Sequence, residues 1–299
     1  YKPLYKSLYN NVIITSKLVN VMLGQFIIAF REAFEAALII SVILTYLIKT
    51  GRKELTSYVW IGVFVAAITS LSLGVLLWSF YGALSEINRV LFEALSAYVA
   101  VIILTFMIYW MTLKGKTIKR DIEHRIESAI TKGTIIGLVI TSFIIVFREG
   151  IELVLFMMPF LISDTFGTVV GTVLGISVSF VFSYVVFIAG VKLNIEKIFF
   201  FTSILLVLIA GGLLGYGTHE FVEYLEIVGV NLGWLTESAY NLNIPSDSLF
   251  HHKGIIGSIF AVMFGYTVNA EWIRVLLHVA YLLIMFPLLF FAKNKKKMT

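Results

Sequence analysis

Six charged residues stand where this sequence is otherwise apolar. Arg31-Glu32-Ala33-Phe34-Glu35 and Arg148-Glu149-Gly150-Ile151-Glu152 are two copies of one pattern, Arg-Glu-x-x-Glu, set 117 residues apart. On a helix, residues i and i+3 share a face, so Glu32 and Glu35 aim at one point, as do Glu149 and Glu152. Each arginine stands four residues before a glutamate, within reach of a charge-assisted hydrogen bond that orients the carboxylate. Four carboxylates gathered in a low dielectric repel strongly unless protons or a multivalent cation join them. Oxygen donors of this kind suit ferric iron, and also magnesium, calcium or manganese. Glutamate pairs on helices also furnish ligands in di-iron bundles, but the Glu-x-x-His half of that pattern is missing here. Two classes of function follow: passage of a cation, iron or another divalent ion such as manganese, or a membrane-embedded di-metal carboxylate enzyme. The motif segments contain no histidine, which weighs against the enzyme.

The elements that carry these residues read as membrane helices. Of 299 residues, 59% are hydrophobic and only 14% charged, against about a quarter charged in a soluble domain. Mean hydropathy is +0.95. The apolar residues fall in seven runs at about 21–48, 59–82, 88–113, 132–160, 167–191, 198–221 and 271–292, each near the roughly 20 residues that cross the hydrocarbon core. Residues 254–269 are apolar but shorter, a re-entrant or interfacial segment. There is no cysteine, which excludes disulfides, thiolate metal sites and cysteine nucleophiles.

Basic residues set the orientation. Segments 49–58, 114–132, 192–197 and the tail hold fifteen of the 23 lysines and arginines, and the opposite side holds five. The positive-inside rule places the first set in the cytoplasm, with the N-terminus outside and the C-terminus inside, in a plasma membrane. Acidic residues gather at the outer mouth, where they concentrate cations. The basic loops account for the net charge of +5 without any nucleic-acid partner; the lipid bilayer is the surrounding partner. The run Lys116–Thr131 repeats isoleucine every four residues, as a surface-lying amphipathic helix does.

Three crossings separate the two motifs, so their helices point in opposite directions. The expected fold is therefore all-α and polytopic: seven transmembrane helices, with a 3+3 inverted repeat (about 22–113 and 132–221), an outer loop 222–270, a C-terminal helix 271–292 and a basic cytoplasmic tail 293–299. Residues 1–21 read as an extension before a natural start at Met22. Inverted repeats hold their ion near the midplane, between the repeats, and release it as the repeats rock. Pro159 is expected to end the fourth span and Pro287 to kink the last. Gly167, Gly171 and Gly175, and likewise Gly211 and Gly215, recur at a spacing that lets helices approach closely. Met157 and Met158 read as packing.

With these residues on the page, the chain resembles the oxidase-dependent iron transporter family, which includes fungal high-affinity ferric iron permeases and bacterial permeases of elemental iron uptake. That family carries Arg-Glu-Gly-Leu-Glu in its first and fourth spans. Here Ala33 and Phe34 depart from the Gly-Leu pair while every charged position matches. Met22-Leu23-Gly24-Gln25-Phe26, Glu93-Ala94-Leu95, Thr218-His219-Glu220-Phe221 with Glu223, and Gly265-Tyr266 extend the likeness over about 22–292. The resemblance implies iron as transported substrate, with no cofactor and no enzymatic activity. It also implies a separate ferroxidase or periplasmic iron-donor protein as partner, since no oxidase domain is present. The expected metal site is Glu32, Glu35, Glu149 and Glu152, supported by Arg31 and Arg148. Glu93, His219, Glu220 and Glu223 form an expected entry site at the outer face, and His251-His252 with Asp247 a further place for metal capture.

Overall fold

The computed structural model describes residues 23–114, 127, 135–187, 195–246, 248–251 and 255–298. The extension 1–21, the amphipathic run 116–131 apart from Glu127, and Asp247 and His252 lie outside the described residues.

The described residues form eight α-helices. They are α1 (Leu23–Lys49), α2 (Thr56–Ala83), α3 (Glu86–Lys114), α4 (Ile135–Ser163), α5 (Thr165–Phe187), α6 (Ile195–Ile227), α7 (Ile255–Phe264) and α8 (Trp272–Met298). Among the described residues, five stretches are long and apolar enough to cross a membrane: Lys53–Ala83, Glu86–Met111, Thr165–Val185, Phe200–Ile227 and Trp272–Phe291. They lie on α2, α3, α5, α6 and α8. The protein is thus an all-α membrane protein. Helices α1 and α4 are equally long, at 27 and 29 residues, but each is interrupted by a charged motif. Helix α7 has ten residues, about 15 Å, half of a bilayer core.

The helix ends follow from sequence. Gly51 and Gly229 adopt positive φ, +74° and +84°, and each closes a helix with the paired bonds of a Schellman turn. Arg52 N–H reaches Leu47 O and Gly51 N–H reaches Ile48 O; Val230 and Gly229 repeat the pattern on Leu225 and Glu226. Glu127 accepts from Tyr46 Oη and pairs with Arg52 at 3.4 Å, joining the long basic connection to the end of α1. Pro159 does not end α4, contrary to expectation. The helix runs through it to Ser163, because Phe156, Met157, Met158 and Phe160 around it are all buried and packing outweighs the one lost hydrogen bond. The same burial bears out the two methionines as packing. Helix α8 likewise continues through Pro287.

Packing pairs helices distant in sequence. Helix α1 lies on α5, α2 on α4, and α3 on α6, with α8 against α6. Small residues make the first two contacts close. A Cβ on Gly175 of α5 would stand 2.6 Å from Phe26 O and 2.9 Å from Ala29 Cβ on α1. A Cβ on Gly62 of α2 would stand 2.5 Å from Val139 O and 2.9 Å from Ser142 Cβ on α4. Along α2 the buried face continues as Ala66 and Ser70; along α5, as Ser179 and Ser183. Gly211 and Gly215 instead face α8, at His278 and Arg274. The main core is formed by α1, α3, α4, α6 and α8, around Phe34, Leu104, Ile108, Phe156, Leu206 and Met285. Before α8, Ser238–Asn241 (β1) pairs antiparallel with Asn269–Glu271 (β2), a ribbon that the sequence reading of the outer loop missed.

Overpacking tests these contacts. Gly175→Val is expected to cost about 1–3 kcal/mol and lower the melting temperature in detergent. Gly82→Ala, whose Cβ meets nothing within 4 Å, should be neutral or stabilise by up to about 1 kcal/mol. Equal melting of the two variants would contradict the close α1–α5 approach.

Candidate functional site

The motif glutamates come together across α1 and α4. One carboxylate oxygen from each of Glu32, Glu149 and Glu152 lies within 4.8 Å of the others. Glu32 is 1% exposed and Glu149 5%. The fourth expected ligand, Glu35, is equally buried but stands outside this trio; it is held by Arg31. Arg31 is fully enclosed, with Nη1 2.7 Å from Glu32 Oε1 and Nη2 2.7 Å from Glu35 Oε1. The second pair is not aligned for a hydrogen bond, so its attraction is chiefly between charges. Arg31 Nη1 also donates to Met107 Sδ on α3 at 2.9 Å.

Arg148 is placed differently. Its Nε donates to Glu152 Oε1 at 2.9 Å, its side chain is 47% exposed, and its guanidinium lies 4.9 Å over the Trp110 ring of α3. Neither Met107 nor Trp110 was singled out from sequence as a site residue. A thioether and an indole in an apolar span look like core, and only the crossing of α3 reveals their partners.

What this arrangement can do follows from its unmet valences. Glu32 Oε2, Glu149 Oε2 and Glu152 Oε2 are buried with no hydrogen-bond donor among the described residues. A buried acceptor left so is costly. The three carboxyl groups converge on one locus, and an oxygen-donor set of this kind matches the needs of a hard cation. The residue at the motif's third position also has a packing role: a Cβ on Gly150 would collide with the Ser70 side chain of α2. Phe34, where the family has leucine, is buried, stacked on Phe30 and edge-on to Phe182 of α5 at 5.3 Å.

A second cluster forms at the far end of α6, where His219, Glu220 and Glu223 each bring one ligand atom within 4.8 Å of the others. Nδ1 of His219 lies 2.7 Å from Glu271 Oε1 at the end of β2, and donation to that carboxylate leaves Nε2 as the free nitrogen. Glu93 is engaged by tyrosines instead: Tyr81 Oη donates to Oε1 at 2.8 Å and Tyr216 Oη to Oε2 at 2.7 Å. Glu271, Tyr81 and Tyr216 were not assigned to this site from the sequence, because the β1–β2 ribbon and the approach of α2 and α6 to Glu93 of α3 are tertiary features.

A model of the iron permease FTR1 family matches residues 22–291. The chain belongs to the iron permease family. It is 40% identical over 268 residues to an uncharacterized protein of Archaeoglobus fulgidus, covering 90% of this chain and 94% of that one. It is 35% identical over 250 residues to the ferrous iron permease EfeU of Yersinia pestis, covering 82% and 85%. It is 34% identical over 205 residues to EfeU of an Escherichia coli strain, covering 68% and 74%. No solved structure matches. In this permease both motif arginines and all four motif glutamates stand on helices that pack against α3 or each other.

The unequal burial of the arginines has a measurable consequence. Arg31→Met strands two buried carboxylates, which should cost about 3–5 kcal/mol. Arg148→Met, at a half-exposed position, should melt much closer to wild type. The check is thermal unfolding of both variants in detergent, and equal losses would contradict the asymmetry.

Proposed function

We propose that this iron permease imports iron through the carboxylate site shared by α1 and α4, with Glu32, Glu149 and Glu152 as ligands. The observation that carries this reading is the convergence of three carboxyl groups, each of which keeps one buried oxygen without a donor among the described residues. Glu35 serves mainly as the counter-charge of Arg31 and joins the ion only as Arg31 shifts. Four carboxylates against two guanidinium groups leave the site net negative, so a multivalent cation relieves the burial cost. The names of the Yersinia and Escherichia relatives make ferrous iron the first ion to test. The ion enters at the outer face through His219, Glu220 and Glu223, with Glu93 behind them. It reaches the cell interior down a seven-span topology, N-terminus outside, in the plasma membrane. Any oxidation step falls to a separate ferroxidase or iron-donor protein.

The two halves of the site come from an inverted repeat in this reading. Its support is the pairing of α1 with α5 and of α2 with α4, which exchange under the correspondence of helices one to three with four to six. The contact residues Gly62, Ser70 and Ser142 stand 113 positions from Gly175, Ser183 and Ala29, respectively. Each strong pair takes one helix from each repeat, so whole repeats do not rock as bodies. The moving units are the pairs α1–α5 and α2–α4, each carrying one motif past α3, α6 and α8.

Uptake of iron into proteoliposomes tests the proposal, with manganese and magnesium as competitors. Wild-type protein should accumulate iron. Glu149→Gln should reduce uptake at least tenfold while remaining folded, and Glu35→Gln should reduce it less. Stoichiometric metal with no flux would favour the di-metal enzyme, and wild-type uptake by Glu149→Gln would reject the central site.

A further inference from the structure

The two motifs are identical in their charged positions yet use their arginines differently. Arg31 pairs with both the next residue, Glu32, and the residue four on, Glu35. An arginine in this motif therefore has the reach for both of its glutamates. Arg148 pairs with Glu152 alone among the described residues, and Glu149, its immediate neighbour, keeps an oxygen without a donor. Something holds Arg148 off Glu149. The group in contact is Trp110, whose ring lies under the guanidinium at 4.9 Å. Among the described residues no ring lies beneath Arg31; α3 instead offers it the Met107 sulfur, which accepts a hydrogen bond from the same Nη1 that meets Glu32.

We propose that Trp110 is a positioning residue for the transported ion: its ring keeps Arg148 on Glu152 and so leaves Glu149 free as a ligand. A guanidinium on an indole face is attracted electrostatically and is confined to sliding across the ring. That geometry allows the Nε bond to Glu152, one turn away, and discourages the turn back toward Glu149. Without the ring, Arg148 takes up the pairing that Arg31 already makes with Glu32, and a cation must then displace a guanidinium to reach Glu149. Helix α3 thus reads both motifs, fixing one arginine onto two carboxylates with a sulfur and restraining the other onto one with an indole.

This inference rests on the central site and concerns how its ligands are kept available. The test is iron titration of the purified permease in detergent, with ferrous iron under reducing conditions, and melting temperatures recorded for every variant. Trp110→Leu should weaken iron binding by about fivefold to thirtyfold, the range of a partly desolvated cation–π contact. Trp110→Phe retains a ring face and should recover most of that loss. In an Arg148→Gln background, Trp110→Leu should have no further effect, since no guanidinium remains to be restrained. The idea is overturned if Trp110→Leu binds iron as wild type does. It is equally overturned if the leucine costs the same factor with and without Arg148, which is what lost packing alone would do. Failure of the central site itself shows separately, as undiminished iron binding by Glu149→Gln.

Discussion

A carboxylate enclosed in an apolar helix bundle must meet a cation, a donor or a proton, and this requirement governs the structure. Glu32, Glu35 and Glu149 are all nearly inaccessible to solvent. Desolvating an ion costs several kcal/mol even after relaxation, so nothing in the packing tolerates these groups idly. Arg31 answers for one motif from full enclosure, and Arg148 answers for half of the other. The Oε2 atoms of Glu32, Glu149 and Glu152 have no donor among the described residues. A fold stabilised for its own sake would have completed these bonds. Leaving them open costs stability, and on the proposed reading it creates affinity for the ion, a trade expected at a transport site in a membrane.

Bringing the two motif helices close enough to share an ion depends on what lies behind them. Helices α5 and α2 press on α1 and α4 through Gly175, Ser179, Ser183 and Gly62, Ala66, Ser70, and a single added methyl at either glycine would meet backbone. The packing faces correspond at a spacing of 113 residues, whereas the motifs correspond at 117. The difference of four residues is about one helical turn. Both motifs therefore keep the same helix face while standing one turn apart relative to their supporting helices. In the second motif this brings Gly150 onto Ser70. On the proposed inverted repeat, the one-turn slip gives a physical reason why identical charged positions end with an enclosed arginine in one half and a half-exposed one in the other.

Much of this was legible in the sequence because the signals were local or repeated. The i, i+3 spacing of the glutamates, the apolar runs and the two glycine series all survive in the structure, and the trio at His219, Glu220 and Glu223 forms on one helix face as its spacing requires. Glu35 stands outside the trio of Glu32, Glu149 and Glu152, because spacing gives the face of a helix but not which carboxylate an arginine pairs with. Pro159 was misread because a local rule about proline yields to the packing on either side. Met107, Trp110, Tyr81, Tyr216 and Glu271 were invisible for a different reason: each acts across a contact between distant segments, and its residue type is common in membrane helices without any such role.

The swapped pairing also constrains how the ion moves. On the inverted-repeat reading, separating the two three-helix repeats would break the α1–α5, α2–α4 and α3–α6 contacts at once, exposing the small-residue seams that hold the motifs in place. Shifting α1 with α5, or α2 with α4, leaves those seams intact and changes mainly the distances between Glu32 and the two glutamates of α4. Such a motion opens the ligand trio without unpacking it. In the proposed mechanism a shift of α2 with α4 carries Arg148 across the Trp110 ring and a shift of α1 with α5 draws Arg31 off Met107, so that α3 restrains each motif through a different contact.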